Sequence, residues 1–99
     1  MAIVLLAAPA RNDLRSIGTY IARTSTARAK NFVDDANERF QLLAANPSMG
    51  RVRPELGSAV RSFPFSSYLI YYRQSTIGIE VLRVLHTAQD VDAAWFQFG

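Results

Sequence analysis

Three consecutive segments constrain this chain most: residues 60–65, 68–74 and 77–85, all rich in Phe, Tyr, Ile and Val. Ser66-Ser67 and Ser75-Thr76 with Gly78 leave only tight connections between them, so they read as three antiparallel strands of a meander. Side chains alternate between the two faces of a strand. Tyr68, Ile70 and Tyr72 therefore share one face, and Leu69, Tyr71 and Arg73 the other. Along 79–86, Ile79, Val81, Arg83 and Leu85 are expected together, opposite Glu80, Leu82, Val84 and His86. Both faces are largely apolar, whereas a sheet wetted on one side alternates more cleanly. A chain of this kind must cover both.

The preceding half supplies one cover. Residues 3–7 read as a strand. Pro9 suits the first turn of a helix, where its missing N–H is no loss. Leu14, Ile17 and Ile21 then recur at helical spacing, giving a helix over 9–23. Thr24-Ser25-Thr26 is a break rich in capping residues. The stripe Ala29, Phe32, Val33, Ala36, Phe40 and Leu43 marks a second helix, ended by Asn46-Pro47 because the residue before proline avoids the helical region. The two form an antiparallel hairpin. Residues 46–58, with Pro47, Gly50, Pro54 and Gly57, read as an ordered loop. In the tail, 87–99, a short helix is expected near Asp90, with strand as the alternative for the last residues. Trp95, Phe96 and Phe98 are expected to cover part of the second face and a partner chain the remainder; the alternative is that the tail closes a small second core by itself. The fold class is α+β, in a single domain spanning 1–99.

The 99 residues carry eleven Lys+Arg against eight Asp+Glu, and ten of the eleven cations are arginine. Guanidinium groups suit planar, bidentate contacts to carboxylate or phosphate, but a balance of +3 does not establish nucleic-acid binding. No apolar run is long enough to span a bilayer, and the apolar start lacks a basic leader region. With no cysteine, the expected compartment is the cytoplasm. His86 is the only histidine, so neither a metal site nor a cofactor is expected, and its role reads as structural at a strand end, bonded to Asp90.

The binding candidates are cationic and aromatic. Arg61, Arg73 and Arg83 occupy three different strands; either they converge on one basic patch or each pairs locally with carboxylates such as Glu80 or Glu55. Arg51 and Arg53 lie in the Pro/Gly-bounded loop, where functional residues concentrate. Tyr68 and Tyr71 either pack in the core or present rings for stacking. His86, Trp95 and Phe96 complete the set.

The order of these features resembles the ParE/RelE toxins of type II toxin-antitoxin (plasmid stabilisation) systems. It carries Asn46-Pro47 followed by Met49, Gly50 and Arg51, then Arg61 and Phe63, Tyr68 to Arg73, and Val81 to His86. Pro9 to Leu14, with Ile17, Tyr20 and Ile21, is similar to the family's first helix. The ending Leu85-His86-Thr87-Ala88-Gln89-Asp90 resembles the ParE branch, although Gln89 stands where arginine is common. The lysines and C-terminal tyrosine of RelE-type ribosome-dependent mRNA endoribonucleases are missing. The resemblance implies a growth-arresting toxin without chemistry of its own that inhibits DNA gyrase, with a ribosome-dependent mRNA endoribonuclease of RelE type as the alternative, bound by a cognate antitoxin protein in a hetero-oligomeric complex. It implies no membrane association, and nucleic-acid contact only through the target or the antitoxin complex.

Overall fold

The structure, a computed structural model, describes residues 2–97. Phe98, counted above with the tail aromatics, lies outside them. Strand β1 (Ile3–Leu6) leads into helix α1 (Ala8–Ala22), with Pro9 in its first turn. Helix α2 (Thr26–Ala45) begins where the Ser25 hydroxyl accepts a hydrogen bond from Arg28 N at 3.1 Å. It ends where Asn46 Nδ2 donates to Leu42 O at 3.0 Å and Pro47 turns the chain into a 3-10 turn, Pro47–Met49. Four more strands follow: β2 (Arg51–Val52), β3 (Arg61–Phe65), β4 (Tyr68–Ser75) and β5 (Gly78–His86). The tail carries a 3-10 turn, Ala93–Phe96, whose first N–H groups are met by Asp92.

The expected meander is present as β3-β4-β5 within a five-stranded mixed sheet of order β1-β5-β4-β3-β2. β1 runs parallel to β5, with Ile3 opposite Gly78 and Leu6 opposite Val81. Gly78 makes that pairing feasible: a Cβ there would collide with the backbone of Ile3, including Ile3 N at 2.6 Å. No local pattern announces such a long-range partner.

The helical hairpin covers one face. Phe32, Ala36, Phe40 and Leu43 of α2 are buried against Phe65, Ile70, Tyr72, Ile79, Val81 and Val84. Leu14, Ile17 and Ile21 of α1 pack around them, half-buried. Val33, at the margin of the predicted stripe, is exposed.

The other face holds two corrections. Alternation along β5 breaks at a bulge: Tyr71 faces Arg83, whereas Tyr72 faces Val81, so Leu82 is the extra residue. Leu82 and Leu85 consequently share the second face, and Val84 returns to the helix side with Val81. That face is also closed by the chain itself. Leu56 and Val60 from the loop join Phe96, Tyr71, Leu82 and Leu85, with Leu69, Val91 and Trp95 at the margin. The loop and tail thus cover much of the face that a partner chain was expected to share. Among the described residues, no helix is long and apolar enough to cross a membrane.

Candidate functional site

The structure sorts the ten candidate residues into three environments. Five form one chain of contacts over the second face. The Arg53 guanidinium lies over Tyr71 at 5.7 Å, Tyr71 packs on Phe96 at 5.1 Å between ring centroids, and Arg83 lies over Trp95 at 5.3 Å. Both arginines are held from below. Arg53 donates to Glu55 at 2.7 Å and to Ser62 Oγ at 3.2 Å. The hydrogen bond to Glu55 raises the Arg53 pKa and lowers that of Glu55. Arg83 makes a two-pronged contact with Asp13 on α1, at 2.7 and 2.9 Å, and that hydrogen bonding holds its pKa above the ordinary value. The Asp13 Oδ2 that accepts from Arg83 Nε also accepts from Val84 N at 3.0 Å, just past the point where β1 ends and β5 would otherwise present a bare donor.

Arg61 and Arg73 stand apart from this cluster, so each of the three strand arginines is engaged by a different partner. Arg61 donates to the carbonyls of Gly50 (2.8 Å) and Ser48 (3.3 Å). Beside it, the Tyr72 hydroxyl donates to Pro47 O and accepts from Gly50 N, both at 2.8 Å. These bonds fasten the turn after α2 to the sheet. Burial raises the Tyr72 pKa. A side chain at Gly50 would strike the Tyr72 ring, 2.7 Å from Cε1, so the glycine is dictated by this close approach. Arg73 pairs with Glu80 across β4 and β5 at 2.8 Å. Arg51 is exposed on β2.

Tyr68 and His86 form the third environment, edge to face at 5.4 Å, with Phe32 against the other side of Tyr68 at 5.5 Å. His86 Nδ1 accepts from Ala88 N at 3.1 Å, which replaces the expected bond to Asp90. This aromatic pair separates two clefts. One, of about 260 Å³, is bordered by Asp13, Ile17, Arg83 and Gln89. The other, of about 580 Å³, runs between the hairpin and the β3–β4 turn, along Tyr20, Arg28, Phe32 and Asp35. Past Asp35 and Phe65 it opens into a channel beside Arg39 and Leu42. Tyr20 and Leu42, at its two ends, are exposed apolar residues. The helix residues of this groove were not foreseen from the sequence, because an exposed tyrosine on a helix carries no signal of a groove until the sheet is placed. Asp13 was visible only as part of the Pro9 to Leu14 run that resembles the family's first helix. No group of three His, Cys, Asp or Glu able to hold a metal occurs among the described residues.

The family model described as ParE toxin of the type II toxin-antitoxin system parDE matches residues 4–91. The chain belongs to the ParE toxin family. It is similar to the toxin named ParE1 from two strains of Mycobacterium tuberculosis, 32% identical over 71 residues, which cover 71% of this chain and 72% of that one. Its fold matches a solved chain of the chromosomal ParDE toxin-antitoxin system from P. aeruginosa, with a TM-score of 0.71 at 23% identity, over 87% of this chain and 96% of the other. The strand, helical hairpin and meander expected from the resemblance are those of this family, and the toxin carries all of them.

Proposed function

We propose that this toxin arrests growth by inhibiting DNA gyrase as a protein ligand, without chemistry of its own, and that a cognate antitoxin silences it. The observation that carries the first half is how the strand cations are used. RNA cleavage needs cations converging on a developing phosphorane charge and a group that moves the 2′-hydroxyl proton. Arg53, Arg73 and Arg83 are bound to carboxylates and Arg61 to two carbonyls, which leaves Arg51 as the one sheet arginine without such a partner among the described residues, too few to converge on a phosphorane. Tyr71 and Tyr72 are buried, and Lys30, the only lysine, is paired with Asp34 on α2. This arrangement favours a surface that binds over a site that cleaves.

The antitoxin has an apolar track to follow. The groove from Tyr20 to Leu42 offers Phe32, Phe65 and Tyr68 with charges of both signs along its rim, which suits an amphipathic helix. At the far edge of the sheet, β1 leaves one side unpaired and exposes Ile3 and Leu5, an edge open to strand addition.

The test compares two targets with one preparation. Folded, antitoxin-free toxin is expected to block ATP-dependent supercoiling by purified gyrase and to leave mRNA intact on translating ribosomes. Intact supercoiling together with cut message would replace this reading with the endoribonuclease one.

A further inference from the structure

The cations left without a carboxylate are not spread evenly. Lys30, Arg53, Arg73 and Arg83 are ion-paired, Arg61 is spent on carbonyls, and Arg39 lies over the rings of Phe63 and Phe65. Of the others, only Arg51 sits on the sheet. Arg11, Arg15 and Arg23 project from the exposed side of α1 and its C-cap, and none pairs with a carboxylate among the described residues. With Thr19 they fall at four-residue intervals, one slanting row about 18 Å long at 1.5 Å per residue. Arg28 joins the end of the row, since Arg23 and Arg28 border the same cleft under the α1–α2 turn. Asp35, about two turns along α2 from Arg28, is the carboxylate that borders the same groove as Tyr20 and Arg28. The one acid on α1, Asp13, is turned inward and consumed by Arg83.

The rest of this face is polar. Asn12, Ser16 and Thr19 are exposed between the arginines, with Tyr20 at the border of the groove. Arg, Ser, Thr, Asn and Tyr are the side chains that contact nucleic-acid phosphates. A docking peptide would need apolar anchors, and those lie in the groove beyond Tyr20 instead. An 18 Å row spans about five phosphates of one duplex strand at 3.4 Å of axis each.

We propose that the outer face of α1 binds the phosphate backbone of duplex DNA, gripping the DNA that the target enzyme holds. The biological sense of this contact rests on the gyrase reading, but the contact itself is measured without gyrase. Arginine forks bind phosphate oxygens bidentately and read no sequence, as befits a toxin acting wherever its target sits.

The experiment titrates folded, antitoxin-free toxin against a short fluorescein-labelled duplex of random sequence and follows anisotropy as salt is raised. With three phosphates engaged, affinity is expected to fall about 40-fold between about 50 and 200 mM salt, and each of Arg11→Gln, Arg15→Gln and Arg23→Gln should flatten the log–log slope by about 0.9. Lys30→Gln, on α2, should leave the slope in place. Glutamine is a good helix former, so these exposed substitutions keep α1 helical, which circular dichroism checks. No binding at the lowest salt, or a slope unchanged in the triple variant, would overturn the proposal. So would a triple variant that loses antitoxin affinity while its DNA slope persists, since the face would then belong to a protein partner. Failure of the gyrase reading appears separately, as unimpeded supercoiling by wild-type toxin that still binds the duplex.

Discussion

Asp13 ties α1 to the bulged end of β5, and removing its carboxylate should be among the most damaging single changes in the molecule. In Asp13→Ala the Arg83 guanidinium loses bonds at 2.7 and 2.9 Å and Val84 N loses one at 3.0 Å. The two side chains are only 19% and 14% exposed, so water replaces these bonds poorly. Breaking a fully buried pair from one side costs about 3–5 kcal/mol. The residual exposure and the stacking of Arg83 on Trp95 place this case at the lower end, about 3 kcal/mol. For a domain of this length that lowers Tm by about 12 °C, at about 4 °C per kcal/mol. The reasoning also fixes the sign of the coupling. Replacing Arg83 as well, in Asp13→Ala/Arg83→Met, removes the stranded charge and keeps an apolar stem over Trp95. The double variant should be more stable than the sum of the singles by about 2 kcal/mol. The assay is thermal and urea unfolding of the four proteins of the cycle. A drop below about 3 °C for Asp13→Ala, or strict additivity in the cycle, would refute the argument that this is a shielded, coupled pair.

Three further changes test separate parts of the fold. Tyr72→Phe leaves Pro47 O and Gly50 N without their partner, and should lose about 1–3 kcal/mol in urea unfolding. Burial raises the Tyr72 pKa, so its phenol binds a proton more tightly folded than unfolded; its contribution is whole below the ordinary tyrosine pKa and is lost as pH rises through the folded one. The wild type should therefore lose stability above about pH 10, and Tyr72→Phe should lack that part of the alkaline limb. Gly78→Ala drives a Cβ into the Ile3 backbone, and should abolish hydrogen-exchange protection of the β1 amides while β3–β5 stay protected; a protected Ile3 amide, now bonded to Ile77 O at 2.7 Å, would contradict this. Phe96→Ala should destabilise the isolated toxin by about 3–5 kcal/mol, because Phe96 is buried on Tyr71 by the chain's own tail; a change under about 0.5 kcal/mol would mean the second face is not closed in this way.

Much of the fold was legible because its signals are local. Pro9, the Ser25 cap and Asn46-Pro47 bracket both helices to within a residue or two, and period-two patterning with Ser66-Ser67 located the meander. What escaped depends on distant partners. Nothing near Ile3 says that it will lie beside Gly78, and the collision that forces the glycine exists only after both strands are in place. The bulge at Leu82 reversed the phase of β5 and sent Leu85 to the face opposite the one that simple alternation gives. Leu56 sits among prolines and glycines and Val60 was read as the start of a strand, so neither announced that the segment before β3 closes part of a second core. At the site, residue types suggested the arginines and aromatics, but their uses follow from geometry: Arg61 and Arg73 serve the scaffold, while Arg53 and Arg83 hold rings of the tail side.

The proposed inhibition of gyrase by this toxin predicts an enzyme trapped on cut DNA. The most direct measurement mixes supercoiled plasmid, purified gyrase, ATP and folded toxin free of antitoxin, stops the reaction with detergent, and digests the protein. Linear plasmid that carried covalently bound protein before digestion, and that requires both toxin and gyrase, is the predicted result. Plasmid that stays closed and supercoiled, with no linear product in the presence of excess folded toxin, would contradict it.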